Sequence, residues 1–165
     1  MVLEQSEFIN SLQNEVRLLL HLCGKVKPEM LEYRPTVRQR SLIELLRYMT
    51  VSMPLLVPSI KGGTFLVDEW TAAEARATSM DFDALLKSLE TQGALYAELV
   101  GGISDGELRE EIEMFGMKMT RGTMLVNLVL CSHSAYRMQL FCYLKSCGRE
   151  ELNTMNLWMG TDGSM

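Results

Sequence analysis

Histidine and cysteine, the residues that most often carry metal and nucleophilic chemistry, are scarce in this chain. It has two histidines, His21 and His133, and four cysteines, Cys23, Cys131, Cys142 and Cys147, none in C-x-x-C spacing. That set excludes a zinc finger or a secreted disulfide scaffold, and the cysteines read as small buried hydrophobes in a reducing compartment. Runs of lysine or arginine are also missing and the net charge is -5, so no nucleic acid and no membrane surface is expected as partner. Gly62-Gly63 and Gly101-Gly102 lack the lysine and hydroxyl context of a phosphate loop and read as turns. The first residues have neither the basic flank nor the apolar run of a signal peptide. The most apolar stretch, 124–144, is broken by Ser132, His133 and Arg137, so no membrane span is expected and the cytoplasm is the expected location.

What the chain does have is apolar residues at helical spacing. With 165 residues, 47% of them hydrophobic, one domain over 1–165 can bury a sizeable core without a staple. Four long helical patterns appear. The first, Gln5 to Cys23, sets Phe8, Ile9, Leu12, Val16, Leu19 and Leu20 on one face and stops at Gly24. The second opens on Ser41 with Glu44 three places on, a capping box, carries Leu42, Leu45, Leu46 and Met49, and is expected to end at Pro54 or Pro58. Pro58 to Ser79 reads as a long loop with a short turn of helix behind Thr71 and Glu74, which suggests that helices two and three are joined across the bundle. The third runs from Asp81 to Val100. Around Phe115-Gly116 the pattern switches to alternation, which suggests a small β-hairpin. Thr120 or Thr123 opens the fourth, which ends at Gly148, and 149–165 forms a tail expected to lie back on the bundle through Trp158.

The apolar fourth helix carries one polar cluster, His133, Tyr136, Arg137 and Gln139, and polar groups on a bundle wall are costly unless partnered or facing a cleft. The spacing lets His133, Tyr136 and Arg137 share one face. Two readings stay open. Arg137 pairs with a buried carboxylate such as Glu15, Glu44 or Glu98, or it holds a small anion while tyrosines and His133 donate hydrogen bonds. His21, at the end of the first helix, reads as a partner of the helix dipole. Trp70 reads as a cover over the bundle end.

Tyr33-Arg34-Pro35, Arg40-Ser41-Leu42-Ile43-Glu44-Leu45-Leu46-Arg47-Tyr48-Met49, and His133-Ser134-Ala135-Tyr136-Arg137-Met138-Gln139-Leu140 followed by Tyr143-Leu144-Lys145 resemble the DinB-like family of four-helix-bundle metalloenzymes. The closing Glu151 to Trp158 resembles the end of some members. The resemblance implies an all-α four-helix bundle, often dimeric, in which three histidines hold a divalent metal that some relatives use to activate a small thiol for transfer or isomerisation. Here the family's first metal histidine falls on Tyr48, the last on Tyr136, and the remaining one near Ser132 or His133. Two neutral phenols do not replace two imidazoles, because a phenol titrates near pH 10. The expectation is therefore a homodimeric, metal-free small-molecule-binding or interaction protein. Its cleft would be formed by Tyr48, His133, Tyr136 and Arg137 and would take a small anionic or thiol ligand, with no cofactor. The alternative is a divergent zinc- or nickel-dependent thiol S-transferase or isomerase.

Overall fold

The computed structural model describes residues 4–163. Helix α1, Gln5–Cys23, starts at a reciprocal cap between Glu4 and Glu7 and buries Phe8, Leu12, Val16, Leu19 and Leu22. Gly24 does stand at its end, but in the right-handed region with φ -64°, so no left-handed glycine is needed there. Helix α2, Leu42–Gly62, begins at Ser41, whose hydroxyl accepts from Glu44 N while its own N–H donates to the Glu44 carboxylate at 2.7 Å. It then runs straight through Pro54 and Pro58 to a left-handed Gly63, where the sequence suggested an end. Each proline deletes one backbone donor, a cost of about 3 kcal/mol in an isolated helix. Burial of Met49, Met53, Val57 and Ile60 along the same helix offsets it.

The stretch read as loop holds a third helix, α3, Val67–Thr78. Its start is Leu66 rather than Thr71, whose hydroxyl instead donates back to Val67 O at 2.9 Å inside the helix. Helix α4, Phe82–Gly101, is capped by Asp81. A five-residue α5, Asp105–Arg109, leads into strands β1, Glu111–Met114, and β2, Met117–Thr120, which pair antiparallel with Met114 opposite Met117. Thr120 caps α6, Arg121–Leu125. That helix continues without a break through a π-helical turn, Val126–Leu130, into α7, Cys131–Ser146.

In the bundle α1 packs on α4 and α7, and α2 packs on α4 and α7, so α1/α2 and α4/α7 are the diagonals. Helices α2 and α4 are thus neighbours. The diagonal crossings fall on the connections before α2 and after α4, because α3 lies along α2 and takes up the length between α2 and α4. Helix α2 is long and apolar enough by length and composition to cross a membrane, contrary to the sequence expectation, and 61% of its most apolar window is buried in the bundle. The tail returns along α1 and α7 through buried Asn156 and Leu157, while Trp158 stays 55% exposed. Arg17 donates to Met159 O at 3.0 Å and Lys25 pairs with Asp162. His21 meets Asn156 and Asp162 in that contact.

Candidate functional site

The polar residues of α7 do not converge on one cleft; they fan out to three different helices. Arg137 turns to α1. Its guanidinium grips Glu15 bidentately, Nε to Oε2 at 2.8 Å and Nη2 to Oε1 at 3.1 Å, and also donates to Leu157 O and to Ser134 Oγ. Its side chain is 1% exposed and that of Glu15 13%. Of the three carboxylates named from sequence, Glu15 is the partner. A fork so occupied has no face left for an anion, and the pair ties α1, α7 and the tail together.

His133 points across the diagonal to α4. Its Nε2 and the Tyr96 hydroxyl share a 2.6 Å hydrogen bond with both residues buried. Burial, reinforced by the charge of Arg137, lowers the imidazole to about 4, and burial raises the Tyr96 phenol well above its usual range. Two neutral groups therefore meet in the core. His133 Nδ1 finds no protein partner, nor does Oε1 of Gln92, one turn away on α4, whose amide donates to Met49 O at 3.1 Å. An imidazole so sunk and so weakly basic does not serve as a general base for a solvent-borne substrate.

Tyr136 is the residue that faces α2. Its ring meets Tyr48 edge-on, centroids 5.2 Å apart. Burial raises the Tyr48 phenol, the Tyr136 hydroxyl raises it further, and Arg40 and Ser52 oppose them. Arg40 lays its guanidinium on the Tyr48 ring at 3.8 Å from the centroid, a cation–π contact. Beside it lies a cavity of about 250 Å³ lined by Arg40, just before the α2 cap, by Glu44, Arg47, Tyr48 and Val51 of α2, and by Glu74, Ala77 and Thr78 of α3. Glu44 is held by Ser41 and Arg34. Arg47 spends two donors on Met80 O. Among the described residues no carboxylate lies within ion-pair distance of Arg40. Arg40 and Arg47 were quoted only as parts of a motif. Their proximity to Tyr48 follows from the helical turn that separates 40, 44, 47 and 48, a signal present in the sequence.

The metal implied by the resemblance does not fit these side chains. Where three imidazoles are expected stand two phenols, one with its pKa raised, and either Ser132 or a histidine whose Nε2 is engaged by Tyr96 of α4. Among the described residues no group of three His, Cys, Asp or Glu side chains could hold a metal ion. Of the cysteines only Cys23 is buried; Cys131 and Cys142 are exposed and Cys147 lies between, so the reading of all four as core hydrophobes is corrected.

A larger groove, about 650 Å³, lies elsewhere. It is lined by Glu4, Gln5 and Phe8 of α1 and its cap, by Leu108 and Arg109, and by Thr120, Gly122, Thr123, Leu125 and Val126. Its walls are mostly apolar and none of the tyrosines lines it. The cavity at Tyr48 is smaller, and most of its lining residues are polar.

Over residues 1–161 the sequence matches the DinB family profile. No curated protein matches the chain. Among solved structures, the crystal structure of a DinB-like protein, YjoA, from Bacillus subtilis is similar in fold. The TM-score is 0.67 at 22% identity, and the match covers 88% of this chain and 94% of that one.

Proposed function

The chain belongs to the DinB family, and we propose on that premise that it is a metal-free small-molecule-binding protein whose pocket, between α2 and α3, receives an anionic group. The carrying observation is the Arg40 guanidinium, which lies on the Tyr48 ring beside a cavity of about 250 Å³ with Arg47 on the same wall and no carboxylate bound to it among the described residues. A carboxylate or phosphate entering there would take bidentate hydrogen bonds from Arg40. Glu74, on the facing wall, favours a ligand that also carries an ammonium group. Tyr48 lines the pocket and Tyr136 backs its ring from α7, while His133 and Arg137 hold the helices that carry them.

Thermal shifts with inorganic phosphate, acetate and a zwitterionic amino acid test the reading. Ligand at 100 times its Kd adds about 2.7 kcal/mol, and Arg40→Ala abolishes the gain. No saturable stabilisation by any of the three refutes an anion pocket. Near-stoichiometric zinc or nickel in protein purified without a metal-binding tag would instead favour a thiol-dependent transferase.

A homodimer is supported by the outer face of α7. Cys131, Ala135, Met138 and Cys142 are exposed at helical spacing with no charge among them. Antiparallel pairing about a two-fold axis sets Ala135 against Met138 and Cys131 against Cys142 of a second copy.

A further inference from the structure

The turn between β1 and β2 is built on the wrong residue for its backbone. Phe115 and Gly116 both have positive φ, 54° and 72°, the conformation of a type I′ hairpin turn, which favours Asn-Gly. A bulky side chain in the left-handed region is an outlier, and such outliers persist only where surrounding contacts hold them. The Phe115 ring is still 55% exposed, so core burial is not what compensates.

Its contact is with another ring. Phe115 meets Phe65, in the connection between α2 and α3, at 5.4 Å; Phe65 meets Trp70 at 5.2 Å; Trp70 meets Tyr48 edge-on at 6.0 Å; and Tyr48 meets Tyr136 at 5.2 Å. All four separations lie in the range of attractive aromatic pairs. Five of the twelve aromatic residues of the chain thus form one unbroken line from the hairpin tip through Tyr48 of the pocket to Tyr136 behind it. Helix α3 carries the middle of this line and buries only Ala77 of its own. It therefore depends on contacts such as Trp70 for its seat on α2.

We propose that Phe115 is a positioning residue for the Tyr48 pocket: the strained hairpin tip presses on Phe65 and thereby holds Trp70 and α3 against Tyr48. The inference rests on the pocket assignment above, yet its test needs no ligand. In a Trp158→Phe background Trp70 is the sole tryptophan emitter. Phe115→Asn there relaxes the turn and keeps the fold, and it is expected to shift Trp70 emission to the red and to bring the Tyr48 titration down toward the ordinary phenol value of about 10, read by NMR of ring-labelled tyrosine. Phe65→Leu, which breaks the next contact and leaves the turn unchanged, gives the same two shifts. Phe115→Tyr, which keeps the ring, gives neither. Parental emission and parental Tyr48 titration in both the Asn and Leu variants overturn the proposal, as does a Tyr variant that shifts as far as Asn. Failure of the anion titrations with these rings still coupled would instead count against the pocket and leave the coupling standing.

Discussion

Acid is the cleanest perturbation of the buried His133–Tyr96 pair. In the unfolded chain the imidazole titrates near its ordinary 6.5, whereas burial lowers it to about 4 in the fold. Below pH 6.5 the unfolded state takes up a proton that the native state refuses, so stability falls with falling pH and levels off only below the native value. The full displacement corresponds to about 3 kcal/mol, of which about 2 kcal/mol is lost between pH 8 and pH 5. That window lies above the range in which Glu44, Glu107, Glu151 and Asp162, all lowered from ordinary carboxylate values, give up their charges. His21 is also lowered, mainly by burial, and contributes with the same sign. The measurement is a urea titration at half-unit steps of pH, on the parent and on His133→Leu/Tyr96→Phe, which removes both hydrogen-bonding partners together. The parent should lose about 1 kcal/mol more per pH unit than the variant between pH 6 and pH 5. Equal slopes would mean that the imidazole is protonated in the fold and that the neutral pair is wrong.

Arg137→Met leaves Glu15 in a largely buried place without its partner and should cost about 3 kcal/mol or more in urea midpoint terms; adding Glu15→Leu should restore most of it, and a silent single variant would mean that the pair is solvated. Ser41→Ala removes one hydroxyl cap from α2 and should cost about 1 kcal/mol, measured by thermal unfolding. Tyr48→Phe should leave the unfolding midpoint nearly unchanged while weakening any anion-dependent stabilisation. Oxidation with copper-phenanthroline should give a cross-linked pair through Cys131 and Cys142 that disappears in Cys142→Ser, whereas a monomer in sedimentation equilibrium together with no cross-link would refute the α7 interface.

Local chemistry was legible in the sequence wherever one residue type does one job. Ser41 with Glu44, Asp81 and Thr120 start helices because a short oxygen side chain reaches the free N–H groups of a first turn. Phe115-Gly116 marked the hairpin through the change of period. What failed were positions where tertiary packing outweighs propensity. Pro54 and Pro58 sit inside α2 because the core buries Met53, Val57 and Ile60 around them. The π-helical turn has no compositional mark. For the site, aligning Tyr48 with Tyr136 anticipated two rings that do touch. Spacing on α7 could not show that His133, Tyr136 and Arg137 diverge, since three residues within one turn of an interior helix reach three neighbours. Tyr96 lies within the third helical pattern, and nothing in its own helix signals a partner across the diagonal.

The π-helical turn at Val126–Leu130 gives this chain a place where one residue can be lost without turning the rod. Such a turn holds one residue more than an α-helical turn, so a single deletion between 126 and 130 leaves an ordinary α turn that covers the same rotation. Arg121, seated on Ile60 O, Glu107 O and Glu110, and His133, seated on Tyr96, stand on opposite sides of it and would keep their bearings. A single deletion within α7 itself, before His133 or among the residues that follow it, has no slack to absorb it: it turns everything beyond by about 100° and forces a choice between the hairpin end and the core.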